Sequence, residues 1–112
     1  METKSAQLDV SNWGNSTIVN EVKKSGNIVY VNFEMTRDAL PLPLNNTLAT
    51  IPAGFRPSSG LYNKAVALST HGQGNVMSGF VNINTDGNIV LVYAPQSQAY
   101  LNQMVINLSY IV

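Results

Sequence analysis

The 112-residue chain has the length of one domain, and its 45% hydrophobic content is enough to bury a core without crosslinks. Six Lys and Arg balance six Asp and Glu, so only 11% of residues are charged, where a typical domain carries about 25%. That balance argues against a basic nucleic-acid surface. The absence of Cys excludes disulfides, thiolate nucleophiles and Cys-ligated zinc, and a single His excludes a multi-imidazole metal site.

Polarity must therefore come from uncharged Asn, Ser, Thr and Gln. No run of roughly 18 apolar residues is available to cross a bilayer, and the opening METKSAQLDV lacks the apolar segment of a signal peptide. The expectation is a product made in the cytoplasm, with no nucleic-acid partner and no membrane insertion, held together by packing or association.

Strand signals run from end to end, punctuated by Gly, Asn, Asp and Pro. Ser16 to Met35 reads as a hairpin, because Gly26 and Asn27 tolerate the positive φ that a tight turn demands. In its second arm Val29, Val31, Phe33 and Met35 share one face, and Tyr30, Asn32 and Glu34 take the other, the period of a strand covered on one side. Arg37 to Asn46 holds Pro41 and Pro43 and is a long loop. A short strand, Thr47 to Ile51, leads into the turn-rich IPAGFRPSSG segment, and Tyr62 to Thr70 resumes as a strand.

His71 to Asn75 (HGQGN) then turns the chain into Val76 to Asn84, and Asp86 with Gly87 marks the sharpest hairpin signal of all. Ala94 to Tyr100 is a polar loop, and Leu101 to Val112 closes the chain as a strand. On that strand Met104, Ile106, Leu108, Tyr110 and Val112 align on one face, while Val105 and Ile111 make the other partly apolar, which predicts burial on both faces. The strand would then lie centrally in a sheet, or its outer face would meet another subunit. About eight strands and no helix predict an all-β fold, an antiparallel β-sandwich or jelly roll.

Catalytic chemistry finds little support. His71 sits among loop residues, without a nucleophile and orienting group in recognisable spacing. Glu34 and Asp38 are the one carboxyl pair to weigh for glycoside hydrolysis. A solvated strand face and a local pairing of Asp38 with Arg37 are the better explanation of the two. HGQGN lacks the Lys and the following helix of a phosphate loop, and Asp9, Asp38 and Asp86 are too scattered for a Ca²⁺ loop. No catalytic residue, metal or cofactor is expected.

Saccharide binding needs an aromatic platform for the C–H face of a sugar and planar polar groups for its hydroxyls. Trp13, Tyr62 and Tyr100 fall at strand ends or in loops, as does Tyr93, and Arg37, Asp38, His71, Gln73 and Asn75 lie in loops where binding residues concentrate. Each aromatic also has a simpler explanation in partial burial with its polar tip satisfied. Asn and Ser are turn formers that any turn-rich β chain accumulates. Arg56, between Phe55 and Pro57, is placed to pin its turn or to pair across a subunit boundary.

The run Ile51, Pro52, Ala53, Gly54, Phe55, Arg56, Pro57, the later Asp86, Gly87, Asn88, Ile89 and an early Trp13 together form a pattern that covers nearly all of the chain. It resembles the C-terminal head domains of receptor-binding, tail-fibre and baseplate proteins of phages infecting Gram-positive bacteria, of lactococcal or streptococcal type. The resemblance implies one compact head domain over residues 1–112, with residues 1–12 continuing from a stalk. It implies a homotrimer on the virion, at the tail tip or baseplate, that docks on host cell-wall polysaccharide beside other tail proteins. A structural module for trimerisation or protein docking is the alternative, and a polysaccharide-cleaving domain using Glu34 or Asp38 a more distant one.

Overall fold

The computed structural model describes residues 2–10, 16–36, 44–69, 76–94 and 102–112, the side chains of 16–18 excepted. Eight strands account for most of them: β1 Thr3–Ala6, β2 Ser16–Ser25, β3 Ile28–Thr36, β4 Thr47–Thr50, β5 Leu61–Ser69, β6 Val76–Ile83, β7 Asn88–Tyr93 and β8 Gln103–Ile111. No helix occurs among the described residues. Every strand pairing is antiparallel, as expected for an all-β chain built on hairpins.

The strands form one sheet in the order β1-β2-β3-β8-β5-β6-β7-β4. The β2–β3 hairpin turns at Gly26, whose φ of 62° only glycine adopts freely. The β6–β7 hairpin is a three-residue loop: the Asn84 amide donates to Asn88 O, the Gly87 amide to Asn84 O, and Gly87 has φ 87°. Asp86 Oδ1 accepts the Asn88 amide at 3.1 Å, the local bond for which Asp is favoured in turns.

Two halves of the sheet meet at β8. Along one edge β8 pairs with all of β3, from Ile28 opposite Ile111 to Thr36 opposite Gln103. Along the other it pairs with β5 only at Ala67, Leu68 and Ser69, opposite Val105, Met104 and Gln103. The sheet curls so far that the segment after β1 returns to the far edge, where Asp9 and Thr50 exchange backbone hydrogen bonds of 2.9 Å. The sandwich expectation thus takes the form of one continuous curled sheet, because β8 hydrogen-bonds both halves. Residues 3–6 pair in register with residues 22–25 of β2, so this stretch is part of the sheet.

The concave side holds the core. Phe33, Met35, Leu48, Ile51, Leu68, Ile83, Ile89, Leu91, Met104 and Ile106 are fully buried there. On β3 the alternation expected from sequence is the one observed: Val29, Val31, Phe33 and Met35 are buried and Tyr30 and Asn32 exposed. The closing strand differs from expectation. It is central and buries Met104, Ile106 and Tyr110, yet its convex side is open, with Asn107, Ser109 and Ile111 exposed and Val105 half-buried. A central position covers the edges of a strand, not its faces, and among the described residues no second layer covers the convex one.

Candidate functional site

The two motifs that stand out in the sequence turn out to be one structural unit. The Ile51 amide donates to Gly87 O at 2.9 Å, and Arg56 Nε donates to Ile51 O at 2.8 Å. Arg56 therefore pins its own turn. The Tyr110 hydroxyl donates to Phe55 O, and burial pushes its pKa up to about 12, so it stays a neutral phenol. This cluster closes one end of the core and offers no reactive group.

The convex face of β3 and β8 is different. Register places Tyr30 opposite Ser109 and Asn32 opposite Asn107, and on the other side of β3 it places Lys23 beside Tyr30 and Glu21 beside Asn32. Directly opposed side chains lie about 5 Å apart at Cβ, so these groups share one patch. Tyr30 is 50% exposed and stands as an aromatic among two amides, a hydroxyl and the Lys23–Glu21 ion pair of 3.5 Å. Beyond Ala67 the β5 strand leaves β8, and the gap between them is a groove of about 570 Å³. Ile28, Tyr30 and Ser109 line it from one side, Leu61 and Lys64 from the other. A shallower trough of about 390 Å³ continues from Tyr30 and Ser109 onto Asn32 and Asn107.

A bulge in β5 shapes the far wall. Register slips between Leu61 and Lys64, Asn63 takes φ 56°, and its amide donates to Asn82 Oδ1 at 3.0 Å. Asn tolerates that conformation better than other non-glycine residues. Among the described residues, Lys64 is the one charged side chain lining the groove. The combination suits a neutral or weakly anionic polar ligand with an apolar face: stacking on Tyr30, hydrogen bonds to Asn32, Asn107 and Ser109, and a single cation at the end.

Of the aromatic and loop residues weighed as saccharide contacts, Tyr62 and Tyr93 lie among the described ones, and Tyr93, 50% exposed, packs on Phe80 away from the groove. Tyr62 is 65% exposed beside the groove wall, with its phenol folded over Gly60. It lines neither the groove nor the trough. Trp13, Arg37, Asp38, His71, Gln73, Asn75 and Tyr100 lie outside the described residues. Glu34, half of the carboxyl pair considered for hydrolysis, accepts a hydrogen bond of 2.6 Å from Gln103 Nε2. Asp38, the other half, is outside the described residues.

Tyr30 and Asn32 were readable from sequence as a wet strand face, but not as a site, and Asn107 and Ser109 belong to a strand whose sequence predicts burial on both faces. Their union depends on the pairing of β3 with β8, strands far apart in the chain.

No protein-family model matches the chain, and no curated protein matches it. Among solved structures, the chain shares its fold with the receptor binding protein (gp15) of Listeria phage PSA: TM-score 0.63 at 15% identity, over 99% of this chain and 66% of that one.

Proposed function

We propose that this chain is the head domain of a phage receptor-binding protein, carried at the tail tip or baseplate of the virion, where it recognises saccharide on the host cell wall without cleaving it. The observation that carries the reading is the fold match over 99% of the chain to a protein described as a phage receptor binding protein. The chain spans 66% of that protein's length. The β3–β8 face adds a ligand-compatible surface in which Tyr30 is the platform and Asn32, Asn107 and Ser109 supply hydroxyl partners. A Gram-positive host, of lactococcal or streptococcal type, and a homotrimer built beside other tail proteins complete the proposal. Weak single sites gain affinity when several are linked.

The test is titration of the purified chain with cell-wall polysaccharide from candidate Gram-positive hosts, read by calorimetry. Saturable binding weakened in Tyr30→Ala supports the reading, and the absence of binding to any of them, with the fold intact, overturns it. One observation favours a structural module instead. Phe80 and Tyr93, with ring centroids 5.5 Å apart, Val76 and Ile111 are all exposed apolar groups on the chain. Trimers that bind no saccharide would select that second reading.

A further inference from the structure

A second recess lies at the end of the curled sheet, away from the Tyr30 face. Lys4 of β1 and Lys24 of β2 are directly opposed in register, two residues from the Ala6–Val22 pair and on its side of the sheet. Like charges so placed repel, and among the described residues neither lysine has a carboxylate within 4.0 Å; the one ion pair is Lys23–Glu21 on the opposite face. The two ammonium groups border a cleft of about 480 Å³ whose other wall is Ala53, Gly54 and Phe55, with Glu2 and Gly26 completing the lining. Half-buried Lys24 reaches across it and donates to Gly54 O at 3.3 Å. A Cβ placed on Gly54 would meet no heavy atom within 4 Å, so the space above the turn is open.

We propose that this cleft binds an anionic group, a phosphate ester or a carboxylate, of a surface polymer, with Lys4 and Lys24 as its joint counter-ions. Such a ligand would turn a repulsive cross-strand pair into an attractive triad, whereas Glu2 alone leaves the cleft with excess positive charge. The proposal does not depend on saccharide binding at Tyr30.

The experiment is an amide chemical-shift titration with glycerol phosphate and, separately, glucuronate, with glycerol and glucose as neutral controls. Saturable shifts confined to the amides around Lys4, Lys24, Gly26 and Gly54 are expected with the anions alone, and the tighter of the two identifies the source as phosphate or carboxylate. Lys24→Gln and Lys4→Gln should each weaken binding about tenfold, the value of one charge-assisted contact, while Lys24→Arg retains it. Lys23→Gln, on the other face, should leave it unchanged. Raising the salt from about 50 mM to about 300 mM should weaken the anions and spare any neutral ligand. Absence of saturable shifts with both anions overturns the proposal, as does equal weakening by Lys23→Gln. Because Lys4 is exposed, its variant reads out binding even if the half-buried Lys24 variant loses fold.

Discussion

Gly87 and Gly54 both have positive φ, 87° and 95°, yet their surroundings separate them. A Cβ on Gly87 would sit 2.3 Å from Ile51 O and 2.8 Å from Arg56 Nε, whereas one on Gly54 meets nothing. Gly54→Ala therefore carries only backbone strain, about 1–2 kcal/mol. Gly87→Ala must also break the Ile51–Gly87 contact, and should cost about 3 kcal/mol or more in urea unfolding. Equal losses at the two positions would contradict the packing of the two turns. Asp86–Gly87 was legible as a turn because its chemistry is local; that the glycine also admits the Ile51 backbone was not, since Ile51 is distant in sequence. Tyr110 supplies a pH test. Its pKa is raised to about 12 from 10.0 by burial, so the folded state holds the phenolic proton where the unfolded state releases it. Its contribution is full below pH 10 and is lost as pH rises from 10 toward 12. Tyr110→Phe should cost about 1–2 kcal/mol at neutral pH, by leaving Phe55 O without its donor, and should flatten the alkaline decline. An unchanged alkaline slope in the variant would sink this assignment.

Elements were the most readable level of this chain. The bounds of β2, β3, β6 and β7 follow from alternation and turn residues that act within a few positions. What alternation does not carry is pairing: β1 is too short to announce itself, and the joint between β5 and β8 rests on three residue pairs. The candidate face was hidden for the same reason, because half of it comes from β3 and half from β8, while most residues favoured from sequence lie outside the described residues. At the joint, Leu68 is fully buried and pairs with Met104, and a Cβ on Gly79 of the next strand would approach Leu68 Cδ1 to 2.5 Å and Tyr93 O to 2.8 Å. Leu68→Ala should destabilise by about 3 kcal/mol through the cavity it leaves. Combined with Gly79→Ala it should lose less than the sum, with a coupling of about 1 kcal/mol, because the leucine branch is what the new methyl strikes. Strict additivity would mean that the Tyr93 carbonyl, not Leu68, sets the cost. On the binding face, Tyr30→Ala should weaken polysaccharide affinity about tenfold, a usual loss for a stacking aromatic, while leaving the urea midpoint nearly unchanged because the ring is half exposed. Tyr62→Ala, outside the groove, should leave affinity as it was.

At the scale of the whole molecule, the low charge noted at the outset acquires a physical use. A net charge of zero leaves little repulsion between identical chains, and the convex face leaves apolar groups uncovered in two places. One is the Ile28–Ile111 pair beside the polar Tyr30 patch. The other lies on the β5–β7 half, where Phe80 is flanked in register by Ala65 and Tyr93, with no charged side chain in that row. Desolvation favours the second as a contact between copies, since the first would bury Tyr30 together with Asn107 and Ser109 and their hydrogen-bonding groups. The proposed trimer should then appear in sedimentation equilibrium at three times the 12.1 kDa of the chain. Phe80→Lys should shift the mass toward one chain by placing three like charges around the axis, and Ile111→Lys should leave it unchanged. If the trimer forms through the Phe80 row, its saccharide faces remain open on all copies, and polysaccharide affinity should fall in Phe80→Lys although the Tyr30 site is untouched, because linked sites become independent ones. A chain that sediments as a single copy at every concentration would remove the trimer. Retained polysaccharide binding in that case would keep the recognition role and assign its affinity to one site alone.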